Sequence, residues 1–176
     1  KLDSPLARSQ HGITENLRFR LITLLNLAKV LSSLHDKNHF VIDLQPKNIV
    51  AYPWSAGASS VNSGYVALID CDGFSISADG GERYHAELVM EDYYSPLALD
   101  RQTCVPKARL LIGQERQQDL WAFALNAFRM LNNGLRPWDA IAGGHVTDAP
   151  DGKFSRIQTL SRTYAYGATG HRDYSP

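Results

Sequence analysis

Between Leu17 and His35, apolar residues recur at steps of three and four: Leu17, Leu21, Leu24, Ala28 and Leu31, with His35 closing the series. That period puts one stripe on a helix of about 20 residues. Thr14 supplies an N-cap hydroxyl, and Asn38 can end the helix in a left-handed turn. A second helix is expected from Gln114 to Asn132, with Leu120, Phe123, Ala124, Ala127, Phe128 and Leu131 on its buried side and Asn133-Gly134 at its end. Between the helices, Ile49-Val50-Ala51-Tyr52 and Tyr65-Val66-Ala67-Leu68-Ile69 are rich in β-branched and aromatic residues and read as strands. The small and polar residues from Pro53 to Gly64 make them a hairpin with an expanded tip. Pro46 lacks an N–H and keeps Gln45 out of the helical region, so the stretch from Asp43 to Asn48 is a loop.

From Ser75 to Arg109 no period is sustained, and Gly80-Gly81, Pro96 and Pro106 punctuate the run. It reads as a long ordered loop with short helical turns, and loops of this length in compact domains are usually functional. Beyond Pro137-Trp138, Gly-rich punctuation dominates, with weak amphipathic patterning from Phe154 to Leu160. The expected fold is a mainly helical α+β domain.

At 176 residues with 44% hydrophobic content, the chain can bury one sizeable core. Eighteen basic residues balance eighteen acidic ones, so net charge gives no reason to expect nucleic acid or an anionic membrane as a partner. The apolar run from Leu21 to Leu34 is broken by Asn26, Lys29, Ser32 and Ser33 and is too short and polar to cross a bilayer. No secretory signal opens the sequence, and Cys71 and Cys104 form no metal or redox motif. A reduced, cytoplasmic setting is the expectation. His35 and His39 stand four apart, but the Glu of a metalloprotease helix is replaced by Asp36, which favours a packing role at the helix end over zinc.

The chemistry concentrates in Val41-Ile42-Asp43-Leu44-Gln45-Pro46-Lys47-Asn48 and in Leu68-Ile69-Asp70-Cys71-Asp72-Gly73-Phe74. An Asp and an Asn five residues apart, ahead of a second Asp that closes an apolar strand, can converge on a metal-bound phosphate. The hairpin would bring Asn48 and Asp70 to the same end of the strand pair.

In this order, the motifs resemble the C-terminal lobe of the protein kinase superfamily. Leu34 to Asn48 looks like the end of that lobe's long helix running into its catalytic loop, and Ile69-Asp70-Cys71-Asp72 stands at the place of the Asp-Phe-Gly motif. Tyr94-Ser95-Pro96 resembles the end of an activation segment. Gln118-Asp119-Leu120-Trp121 with Asn133-Gly134-Leu135-Arg136-Pro137-Trp138 is similar to the central helix and the loop after it. The Asp-x-Asp variant of the metal motif most resembles divergent bacterial kinase-like proteins.

The resemblance implies ATP and Mg²⁺ as cofactors. It assigns Asp43 to accept or orient the proton of the attacking hydroxyl, with Gln45 beside it in the catalytic set. Asn48 and Asp70 would bind the metal–nucleotide complex, and Asp72 is a third candidate metal ligand. Asp119 would hydrogen-bond the catalytic-loop backbone, and Cys71 would pack as a small hydrophobe in the place of the motif Phe.

Several positions depart from the pattern. Val41 and Ile42 replace the usual His and Arg, so no Arg is at hand there to read a phosphorylated segment, and ordinary phospho-control is not expected. Gln45 replaces a Lys and brings no positive charge to the transferred phosphate. Leu97 replaces a Glu that would pair with a later Arg. No Gly-rich loop and no Val-Ala-x-Lys strand occurs in the sequence, so the nucleotide-covering small lobe is absent from it.

The expected organisation is a lead-in over residues 1–14, the lobe core over 15–140 and a Gly/Ser/Tyr-rich tail over 141–176, the lobe's truncated end. The expected activity is transfer of the ATP γ-phosphate to a protein hydroxyl once a small lobe is joined, the chain alone being nearly inactive. Partners would be a nucleotide and a protein substrate or regulator. A pseudokinase binding module is the alternative, and an aminoglycoside- or choline-type small-molecule kinase ranks third.

Overall fold

The computed structural model describes residues 9–10, 17–51, 65–90, 92–100, 102–103 and 105–137. The Thr14 cap, the hairpin tip, Trp138 and the tail lie outside these residues. Two helices dominate, α1 over Leu17–Asp36 and α2 over Glu115–Leu131. Two small antiparallel sheets accompany them: β1 (Ile49–Ala51) with β2 (Val66–Leu68), and β3 (Ile76–Ser77) with β4 (Arg83–Tyr84). The fold is thus a small, mostly helical α+β arrangement, as the patterning implies.

Helix ends follow local chemistry. Asn38 has φ 59°, and its N–H bonds the His35 carbonyl, closing the turn after α1. Asn133 and Gly134 at φ 55° and 92° do the same after α2, where the Gly134 N–H reaches the Arg129 carbonyl. Ser95 caps the 3₁₀ turn at Pro96–Ala98 by accepting from the Leu97 N–H, and a second 3₁₀ turn spans Ala108–Leu111. These are the short helical turns expected in the long connection. The β3–β4 pair, absent from the expectation, is only two residues per strand, too short for a period to show.

Two apolar clusters form the core. One gathers Leu27, Leu31, Val41, Leu44, Tyr93, Ala122 and Leu125; the other gathers Phe40, Ile42, Ala86, Tyr94, Ala98, Leu99 and Leu111. Phe40 and Ile42 enter one cluster while Val41 and Leu44 enter the other, so the loop after α1 is the seam between them. Trp121 packs against both.

Neither helix buries quite the face its apolar pattern suggests. On α1 the buried residues are Phe19, Thr23, Leu24, Leu27 and Leu31, while Leu17 and Leu21 are 60% and 50% exposed. On α2 the correction is larger. Its buried residues are Glu115, Gln118, Asp119, Ala122, Leu125, Asn126 and Met130, and Leu120, Ala124 and Leu131 are exposed. The reason is what α2 packs against. Buried loop backbone needs hydrogen-bond partners more than it needs apolar contact, and polar side chains of α2 supply them. No helix among the described residues is long and apolar enough to cross a membrane.

Candidate active site

The loop after α1 is held from below by α2. Asp119, fully buried, accepts from the Val41 N–H on Oδ2 at 2.9 Å and from the Ile42 N–H on Oδ1 at 2.7 Å. His35 Nε2 meets the same Oδ2 at 2.8 Å, so the end of α1 shares the carboxylate. His35 therefore has the packing role expected of it, and His39, past the helix end, accepts the Ser77 N–H on Nδ1. Gln118 Nε2 donates to the Ile42 carbonyl at 3.2 Å and the Tyr93 carbonyl at 2.9 Å, and its Oε1 accepts from the Ser95 N–H at 2.7 Å. Asn126 Nδ2 donates to the Leu44 carbonyl at 2.8 Å. One face of α2 thus fixes both the 41–44 loop and the 93–95 segment.

Held this way, the loop turns sharply. Ile42 has φ 61°, a left-handed value that a β-branched residue rarely adopts. The Asp43 N–H bonds the Val41 carbonyl at 2.7 Å and the Gln45 N–H bonds the Asp43 carbonyl at 2.9 Å, two tight turns in succession. Pro46–Asn48 is a 3₁₀ turn with Pro where no donor is needed.

The half-buried Asp43 carboxylate is the hub of the site. Oδ2 accepts from Gln45 Nε2 at 2.7 Å and from Asn48 Nδ2 at 3.1 Å, and Oδ1 accepts from the Met90 backbone N–H at 3.2 Å. Asn48 Nδ2 also reaches the Asp43 carbonyl at 3.1 Å. Gln45 grips the carboxylate with a neutral donor.

Asp70 joins from the hairpin. The register pairs Ile49 with Leu68, and the Ile69 N–H bonds the Asn48 carbonyl at 3.0 Å, so Asp70 follows directly from a residue tied to Asn48. Asp70 itself is left-handed, φ 61° and ψ 57°, and its exposed carboxylate caps nothing in the 3₁₀ turn Cys71–Gly73 that it precedes. That turn lies against the hub, since a Cβ on Gly73 would stand 3.4 Å from the Asp43 Cβ. Asp72 is exposed on the same turn. Cys71 is exposed there too, contrary to the packing expected of it. Phe74 takes the apolar slot against Leu27 and its neighbours, because the turn projects Cys71 outward and returns the chain at Phe74.

Among the described residues, no three His, Cys, Asp or Glu side chains converge as a metal cage. Mg²⁺ needs none: it is commonly held by one or two protein oxygens with phosphate and water completing the shell. Because the Asn48 NH₂ is spent on Asp43, its amide oxygen is the atom left for a hard cation, and the Asp70 carboxylate is uncommitted. The donor set fits a phosphate-bound Mg²⁺.

The sequence reading missed Gln118, Asn126 and Met90. For the first two a signal existed, since Glu115, Gln118, Asp119 and Asn126 recur at helical spacing along one side of the helix. For Met90 there was none, because its backbone N–H makes the contact. No protein-family model matches the chain, and no curated protein matches it.

Proposed function

We propose that this chain is the large lobe of a kinase-like phosphotransferase, moving the γ-phosphate of ATP to a protein hydroxyl when joined to a small lobe. The observation that carries the reading is the Asp43–Asn48 hydrogen bond with Asp70 one residue past the Asn48–Ile69 backbone bond. Two independent strands of support accompany it. Backbone strain concentrates at functional sites, and among the described non-glycine residues Ile42 and Asp70 are left-handed away from any helix C-terminus, each at or beside a candidate reacting group. The Asp70 carboxylate also caps nothing in its turn, so a purely structural role leaves it without work.

In this reading Asp43 receives the proton of the acceptor hydroxyl. Gln45 and Asn48 fix the carboxylate so that little reorganisation remains at the moment of transfer. Bound Mg²⁺ would neutralise charge on the nucleotide phosphates, with Asn48 and Asp70 as its protein ligands and Asp72 within the same turn as a further candidate. Gln45 adds no positive charge, so the transition state is stabilised less than in a site with Lys there.

One observation favours the second reading, a nucleotide-binding pseudokinase module. The Met90 N–H already occupies Asp43 Oδ1. Mg²⁺-dependent transfer from labelled ATP, measured on the chain joined to a small lobe, separates the two. Transfer that Asp70→Asn abolishes supports the phosphotransferase. Mg²⁺–nucleotide binding without transfer, across protein acceptors and small alcohols, supports the module, and transfer to small alcohols alone would point to a small-molecule kinase.

A further inference from the structure

The long connection between the Asp70 turn and α2 must be held in place for Met90 to sit on Asp43, yet buried Ile42 stands where an Arg would read a phosphate. A different charge arrangement occupies the ground nearby. Glu115, in the first turn of α2, is 5% exposed, and its Oε1 is buried without a hydrogen-bond partner. Two side chains of the connection face that oxygen: His85 Nδ1 at 3.4 Å and Arg83 Nε at 3.8 Å. A buried carboxylate is costly unless cations offset it.

Arg83 is the more elaborate of the two. Its Nη2 donates to the Asn38 carbonyl at 2.8 Å, its Nε donates to Ser75 Oγ at 3.3 Å, and its guanidinium lies 4.8 Å from the centre of the Phe40 ring. Ser75 and Phe40 exchange both backbone bonds at 2.8 Å. One side chain therefore ties the end of α1, the start of the 40–48 loop and β4 to α2. A small cavity opens between Glu115, His85, Ser75 and Ile42, and Ala86, Ala108, Leu111 and Ile112 complete its wall without a further titratable group.

We propose that Glu115, Arg83 and His85 form a built-in charge lock in which a helix carboxylate does the work of a phosphate, ordering the connection over Asp43 without covalent modification. They act as positioning residues, and this role deepens the phosphotransferase reading. Other charged groups of the flanking segments are committed or exposed: His35 bonds Asp119, Lys107 bonds Asp100 and Glu82 accepts from the Tyr84 hydroxyl, while Glu87, Arg109 and Arg116 are exposed.

The test is amide hydrogen exchange of residues 83–90 in the full chain at a single pH, corrected for intrinsic exchange. Glu115→Gln should lower protection there by about twofold to fivefold, the scale of one partly exposed ion pair. His85→Gln should lower it with protection of α1 and α2 unchanged; because His85 is exposed, this variant reads the lock even if Glu115→Gln loosens the core. Unchanged protection of residues 83–90 in His85→Gln would overturn the proposal. The readout needs no nucleotide, so a chain without phosphotransfer would sink the functional reading while leaving the lock to stand or fall on its own result.

Discussion

Ile42 shows two residue-scale effects pulling against each other. Its side chain is 1% exposed within the second cluster, while its backbone is left-handed at φ 61°. Trimming a buried Ile to Ala costs about 2 to 5 kcal/mol in lost packing, whereas the strained backbone stores about 1 to 3 kcal/mol. Packing wins, which is why Ile is tolerated. Ile42→Ala loses the packing and keeps the strain, but Ile42→Gly loses the packing and releases the strain. Urea denaturation should therefore find Ile42→Gly at least as stable as Ile42→Ala, the reverse of the usual order of these residues. A Gly variant less stable by 1 kcal/mol or so would mean the left-handed turn carries little strain.

Asp100 gives the residue-scale prediction on pH. Lys107 Nζ lies 2.6 Å from its Oδ2, and the Gln102 and Thr103 N–H groups donate to its Oδ1 at 2.9 and 3.2 Å. The Lys107 bond first, then the two backbone bonds, favour the charged form and lower the pKa from 3.8 to about 2. With the folded value depressed, the contribution to stability is present above the unfolded value and lost as pH falls from about 4 to about 2. Carboxyl NMR should place the Asp100 midpoint near 2, and Lys107→Met should move it up. An unmoved midpoint would assign the shift to the backbone bonds alone.

At the scale of elements, α2 is a rack for loop backbone more than an apolar wall. Its position from about Gln114 to Asn132 and its Asn133-Gly134 end are readable in sequence because a 3.6-residue period and a left-handed stop are local properties. Its buried face is not. The face chosen depends on carbonyls and N–H groups at residues 41–44 and 93–95, and those needs appear only once the chain has folded back. The same logic explains the site. The convergence of Asp43 and Asn48 was legible from spacing within one loop, whereas the Met90 contact spans 47 residues and belongs to backbone. Asp119 serves Val41, Ile42 and His35 at once. Asp119→Ala leaves two buried N–H groups and an imidazole without their acceptor. It should cost about 3 to 5 kcal/mol, the scale of breaking a buried charged network, read as a lower urea midpoint with an unchanged slope. A loss below 1 kcal/mol would mean water replaces the carboxylate freely.

For the molecule as a whole, function and stability should separate at Asp70. The candidates of the 43–48 loop are tied into the fold: Asn48 and Gln45 are buried and bonded to Asp43, and Asp43 accepts from three donors. Asp70 is exposed, left-handed and caps nothing. Asn tolerates the left-handed region about as well as Asp, so Asp70→Asn should leave the chain's stability within about 0.5 kcal/mol of wild type. A ligand present at a hundred times its Kd adds about 2.7 kcal/mol to the state that binds it. On the proposed reading, Mg²⁺–ATP should give the wild-type chain, joined to a small lobe, a gain of that order which the variant lacks. The comparison discriminates because the alternatives move different quantities. A structural Asp at a strand end would lower the stability of the variant without ligand. A spectator Asp would leave both the unliganded stability and the Mg²⁺–ATP gain intact. Loss of the gain alone requires Asp70 to touch the metal–nucleotide complex, and the same protein pair can then be carried into the transfer assay to ask whether Asp43 completes the reaction.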